Sequence, residues 1–195
     1  VVDPTWRYKI GGAFDRDGGV FETSDVYLEK DLGDGWCVRA GQFKGPFLRE
    51  YLQSAFRQLA ADRSLVNAAF GQGRSDGVQL SREGERLAFF ALCSDGFGND
   101  DTAALDEDTE LALTGRAEWL AAGDWRQFRD FTSWSDDDFG LLLGAAVHYQ
   151  KDEYGTPAGP EEEVFTWTID ASAEFGGAGV FAAFVGRHLD AAARD

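Results

Sequence analysis

The side chains best suited to chemistry in this chain are its arginines. Between Arg39 and Arg82 lie seven basic residues, Arg39, Lys44, Arg49, Arg57, Arg63, Arg74 and Arg82, against three acidic ones, Glu50, Asp62 and Asp76. The whole chain of 195 residues has 18 lysines and arginines and 35 aspartates and glutamates, a formal net charge of −17. Guanidinium groups present forked donors that match the oxygens of phosphate or carboxylate, so a cluster of them suits oxyanion recognition. Exposed charges more than about 8 to 10 Å away are largely screened at physiological salt, so a local positive field can persist inside an acidic molecule.

Other chemistries find less support. His148 and His188 lie in separate segments with no serine or cysteine arrangement that would define a nucleophile. No carboxylates stand out as an acid and base pair, so no catalytic residue is expected and the chain is not read as an enzyme. "GQGRSDG" at 71–77 lacks the Gly-Lys-Ser/Thr ending of a phosphate-cradling loop. The acidic runs "NDDTAALDEDTE" and "SDDDF", and "DRDGG" at 15–19, lack the spacing of a calcium loop. With only Cys37 and Cys93 there is no disulfide scaffold or zinc pattern. No metal or cofactor is expected, and the acidity argues against nucleic acid as a partner.

The elements that must position the arginines read as strands. In "VFTWTIDASAEF", Phe165, Trp167, Ile169, Ala171, Ala173 and Phe175 fall on one face and Thr166, Thr168, Asp170, Ser172 and Glu174 on the other. That is the period of a strand with one dry and one wet side. "ELALTGRAEWL" alternates in the same way, and "FGLLLGAAVHYQ" follows a weaker but compatible pattern. Further strands are expected at 5–14, 20–30, 36–43, 76–81, 86–94 and 179–188, about nine in all. The best run 10 to 12 residues, close to the roughly 9 to 11 of a tilted strand crossing a bilayer. Aromatics gather near strand ends, at Trp6, Trp36, Trp119, Tyr149, Phe165 and Phe175, as in an interfacial girdle.

Tight glycine-rich turns at 15–19, 33–35, 82–85 and 176–179 contrast with long connections at 44–75, 95–109 and 151–163. An up-and-down sheet would then have one end of short turns and one of long loops. The segment 122–138 disturbs that rhythm and is expected to hide a short strand. Within the first long connection, Leu48, Tyr51, Leu52, Ala55, Phe56 and Leu59 recur at helical spacing, predicting an amphipathic helix over 48–59.

"WCVRAGQFKGPFLREYLQS", then "DRSLVNAAFGQGRSDGVQL" and "FFALCSDGFGND", resemble the phosphate-selective porins, the porin O and porin P type of Gram-negative outer membranes. The resemblance rests on "GQFKGPF", the "DRS" triplet and Arg-x-x-Gly-Val-Gln at 74–79, and covers roughly residues 20 to 100. "DVYLEKDLGDGW" fits the preceding hairpin, although Asp25 and Tyr27 replace more usual basic and small residues.

What the resemblance implies is an all-β, antiparallel up-and-down transmembrane barrel in the outer membrane, in contact with its lipid and usually trimeric. Such a barrel passes small anions such as phosphate. Residues 1–195 would be a single, partial barrel domain, a piece lacking a signal peptide at one end and strands at the other. Lys44, Arg63 and Arg74 are the candidate anion-binding residues, with Arg39, Arg49 and Arg57 as additions. Acidic loops at 99–110 and 135–138 would oppose anions if they overhang the mouth. The alternative is a soluble or surface-anchored β-sandwich or barrel that binds a ligand, with Phe165, Trp167 and Ile169 turned into a closed core.

Overall fold

Period-two alternation requires a partner strand on each side to satisfy the backbone, and the chain supplies these in simple succession. The computed structural model describes residues 3–14, 18–19, 21–54, 57–58, 60, 62–96, 109–152 and 162–191. It contains β1 (Trp6–Phe14), β2 (Phe21–Gly33), β3 (Trp36–Lys44), β4 (Arg74–Glu83), β5 (Leu87–Ser94), β6 (Thr109–Ala122), β7 (Gly140–Asp152), β8 (Glu162–Phe175) and β9 (Ala178–Ala191). These form one sheet in sequence order, every neighbouring pair antiparallel. Among the described residues β1 pairs only with β2 and β9 only with β8, so the sheet is open.

The two faces are inverted relative to a protein with a dry core. On β8 the buried row is Val164, Thr166, Thr168, Asp170, Ser172 and Glu174, with Thr166 at 0% exposure. The opposite row carries Phe165, Ile169 and Phe175 outward, Ile169 at 54%. Neighbouring strands repeat the pattern. Tyr8, Ile10, Leu28, Val78, Leu80, Phe89, Leu113, Trp119, Val147 and Phe184 are exposed. Gln79, Thr114, Arg116, His148 and Gln150 are buried. A polar covered face and an apolar outer face are what a barrel wall in a bilayer requires, because lipid replaces the water that would otherwise meet the apolar side. The sandwich alternative needed Phe165 and Ile169 in a closed core, and both lie on the exposed face.

The turns divide as the alternation of strands demands. Gly33, Asp34 and Gly35 all have positive φ, 86°, 53° and 78°, which lets β2 reverse tightly into β3. At that same end lies 123–139, which holds no strand and instead forms a 3-10 turn at Gln127–Arg129. Its Phe128 packs with Leu120 and Leu142. Trp125 Nε1 donates to the carbonyls of Gly84 (3.0 Å) and Glu85 (3.1 Å), and Arg86 Nη1 donates to Gly123 O (3.1 Å). The expected strand is therefore replaced by a turn fastened to its neighbour, and the acidic stretch 135–138 sits at the short-turn end. Most of 99–110 lies outside the described residues.

The long connection from β3 to β4 covers the polar face. It contains two short helices, α1 (Arg49–Leu52) and α2 (Leu65–Phe70). The helix expected over 48–59 ends at Leu52, with Gln53 extended (φ −65°, ψ 146°). The cause is competition for carbonyls. Lys44 Nζ donates to Tyr51 O and Gln53 O, and Gln58 Nε2 donates to the carbonyls of Glu50, Gln53 and Ser54. These side chains take acceptors that a longer helix would have used. Residues 55, 56 and 59 lie outside the described residues.

Candidate anion-binding site

The site begins where β3 ends. Phe43 and Phe47 are almost fully buried, so the chain leaving the strand turns over the polar face instead of away from it. Phe47 packs with Leu48 and Ala146, and its ring meets the His148 ring edge-on at 6.4 Å. Two arginines then fix the inward path. Arg116, from β6, donates through Nη1 to Phe47 O at 2.9 Å. Arg49, from α1, donates through Nε to Ser172 Oγ (2.9 Å) and through Nη2 to Phe128 O (2.7 Å). Gln53 Nε2 reaches the same Phe128 carbonyl at 3.1 Å.

Arg116 is itself held by a complete set of partners. Nη1 and Nη2 grip the two oxygens of Asp170 at 2.8 and 2.9 Å, and Nε meets Glu118 at 2.8 Å. A side chain at Gly144 would fall 2.3 Å from Arg116 Nη2 and 2.5 Å from Asp170, so this position must be glycine for the pair to close. Burial lowers the pKa of Arg49, opposed chiefly by the Glu118 carboxylate.

The returning arm is pinned by amide and imidazole groups. Gln72 Nε2 donates to Thr114 Oγ1 (3.2 Å) and approaches His148 Nδ1 at 2.7 Å. An amide nitrogen can only donate, so Nδ1 accepts and Nε2 carries the proton toward Gln150 Oε1, 3.3 Å away. Earlier in the arm Glu50 accepts from the Ser64 backbone N–H at 2.7 Å, and Ser64 Oγ in turn accepts from Asn67 N at 3.2 Å, capping α2.

Between this folded connection and the β1 to β4 wall lies a cavity of about 440 Å³. Lys9, Asp25, Tyr27, Arg39, Phe43, Lys44 and Arg74 line it from the strands, and Tyr51, Leu52, Ser54 and Arg63 from the connection. Five cations thus face one carboxylate. Asp25 receives Lys9 Nζ at 2.6 Å and Arg74 Nε at 3.2 Å. Arg39 pairs with Glu29 at 2.6 Å, and that carboxylate also holds Arg7 at 2.9 Å. Lys44 donates to the carbonyls of Tyr51 (2.7 Å) and Gln53 (3.3 Å), and Arg63 Nη2 to Gln53 O (3.2 Å). Neither of these two is paired with a carboxylate among the described residues, and Arg63 Nε is buried without a hydrogen-bond partner. Backbone carbonyls solvate a cation without cancelling its charge, so the cavity keeps a positive field.

The phosphate-selective porin O and P family model matches residues 5–129. The chain belongs to that family. The match extends the resemblance at both ends and takes in every residue lining the cavity. No curated protein and no solved structure matches the chain. Family membership makes the open sheet part of a porin barrel wall, with the polar covered face toward the lumen.

Of the six residues named from sequence, Arg39, Lys44, Arg63 and Arg74 meet in the cavity. Arg49 does not join them. It is 5% exposed and spans to β8 and the 123–139 turn, anchoring the porin's inward connection. Arg57 is exposed and lies outside the lining. Sequence reading missed Lys9, which sits in β1 far from the basic segment, and Arg116, whose role depends on a partner 54 residues away. A signal for Lys9 did exist. Its parity in "WRYKIGGAF" puts it with Arg7 on the face opposite Tyr8 and Ile10. Asp25 and Tyr27, the two departures from the family pattern, both line the cavity.

Proposed function

We propose that the chain forms the wall and constriction of a diffusion channel in a Gram-negative outer membrane, passing small anions, phosphate among them, through a water-filled lumen. The observation that carries this reading is the meeting of five cationic side chains in one cavity where the β3–β4 connection folds over the polar face. An incoming anion would exchange part of its hydration shell for guanidinium and ammonium donors. Lys44 and Arg63 offer charge with no carboxylate pairing among the described residues, while Asp25 and Glu29 temper the rest and keep binding weak enough for release. Passage by diffusion makes and breaks no bond, so neither catalytic residue nor cofactor is required. Assembly as a homotrimer among outer-membrane lipids is the expectation that comes with the family.

Reconstitution of the full chain in a planar bilayer tests the reading. Stepwise conductance is expected, with a reversal potential on the anion side in a KCl gradient and a chloride current reduced by added phosphate. Absence of steps at any salt, or a cation-side potential, would overturn it.

A further inference from the structure

The cavity is not a purely polar anion seat. Three aromatic rings turn into it, each beneath a cation. Arg39 Cζ lies 4.4 Å from the Tyr27 ring centroid and 5.3 Å from that of Phe43. Lys44 Nζ and Arg63 Cζ lie 4.8 and 5.1 Å from the Tyr51 ring. Leu52 adds an aliphatic side chain. Tyr27 meets Phe43 edge-on, at 6.0 Å and 80°, which holds the two rings in fixed positions.

From this we infer that the site favours anions carrying a flat apolar body over bare oxyanions, an inference that rests on the anion-channel reading above. At about 440 Å³ the cavity falls in the range of roughly 300 to 1,000 Å³ that small organic ligands occupy. An inorganic oxyanion would satisfy the cations but leave the Tyr27, Tyr51 and Leu52 surface in contact with water. A ring attached to the anionic group covers that surface and gains its burial, while guanidinium planes accept a second aromatic face by stacking. The Arg63 guanidinium, which lines the cavity, lies over the ring of Tyr51 with Cζ 5.1 Å from its centroid. Charge and apolar contact are therefore offered side by side.

The experiment compares methyl phosphate with phenyl phosphate as blockers of chloride current through the full chain in a planar bilayer. The two have like charge and differ in the ring. Phenyl phosphate is expected to half-block at a concentration lower by about tenfold, the order of a ring contact in a partly desolvated site. Tyr51→Ser should erase most of that ratio, raising the half-blocking concentration of phenyl phosphate far more than that of methyl phosphate, and Tyr27→Ser provides a second test should the first variant fail to assemble. Equal half-blocking concentrations in the unaltered protein would overturn the inference and leave the anion channel standing. Failure of both compounds to block would overturn the two together.

Discussion

Arg116 Nη1 donates to the carbonyl of Phe47 at 2.9 Å, across 69 residues of sequence, and so ties the middle of β6 to the first turn of the inward connection. The same guanidinium is neutralised by Asp170 and Glu118, which lets a full charge sit buried in the wall. The connection is thus suspended between wall strands, with Arg116 and Arg49 as its fixings on the side opposite the cavity.

Arg116→Met should therefore fail at two levels. Leaving buried Asp170 and partly buried Glu118 without their partner is expected to cost about 3 to 5 kcal/mol, seen as a lower urea midpoint in detergent. Arg116→Lys keeps the charge but not the fork, so it should retain the barrel and release Phe47. Its single-channel conductance should rise as the connection moves off the wall. Conductance equal to that of the unaltered protein would show that Arg116 does not position the constriction.

Lys9 and Arg57 make a matched pair for the site assignment. Each substitution to glutamine removes one positive charge, yet only Lys9 lines the cavity. Lys9→Gln should move the reversal potential in a KCl gradient toward cations, and Arg57→Gln should leave it where it was. Equal shifts would mean that overall charge, not the cavity, sets selectivity.

Much of the wall was legible before the fold was known, and the reason is physical. A strand with lipid on one side and polar groups on the other writes its own alternation, so the rows of Phe165 and Thr166 could be read directly from β8. The connection was harder. Leu48, Tyr51 and Leu52 have helical spacing, but Lys44 and Gln58 capture the carbonyls that would continue the helix, and such captures span too many residues for a periodicity to register. Arg49 misled for a related reason. Its neighbours in sequence line the cavity, while its own partners, Phe128 and Ser172, stand 79 and 123 residues away.

The exposed apolar row has its own test. Ile169 lies near the middle of β8 on the face that would meet lipid, and Ile169→Arg should destabilise the refolded protein by roughly 2 to 4 kcal/mol, the depth-dependent penalty for a cation near the bilayer midplane. Measured as the urea midpoint in lipid vesicles, the effect should shrink strongly for Phe175→Arg at the strand end. Equal penalties at the two depths would argue that this face packs on protein.

Asp95 gives a pH dependence whose sign follows from its surroundings. Just past the end of β5, its backbone N–H donates to Asp76 O at 3.0 Å, and next to it Ser75 Oγ donates to Gly96 O at 2.6 Å. Burial, aided by the Asp76 carboxylate, pushes the Asp95 carboxyl up to about 6. The unfolded chain releases that proton near about 3.9. Between these values the folded protein holds a proton that the unfolded chain has lost, so the contribution is present below about pH 4 and is lost as pH rises through 6. Asp95→Asn cannot ionise and should flatten this part of the curve, gaining stability relative to the unaltered protein at pH 7.5 and losing that advantage at pH 4. The readout is the difference in urea midpoint between the two proteins across that range. Carboxylates other than Asp76, whose charge couples to that of Asp95, titrate alike in both and cancel. Parallel curves would mean that the Asp95 carboxyl is as well solvated in the folded protein as in the unfolded chain.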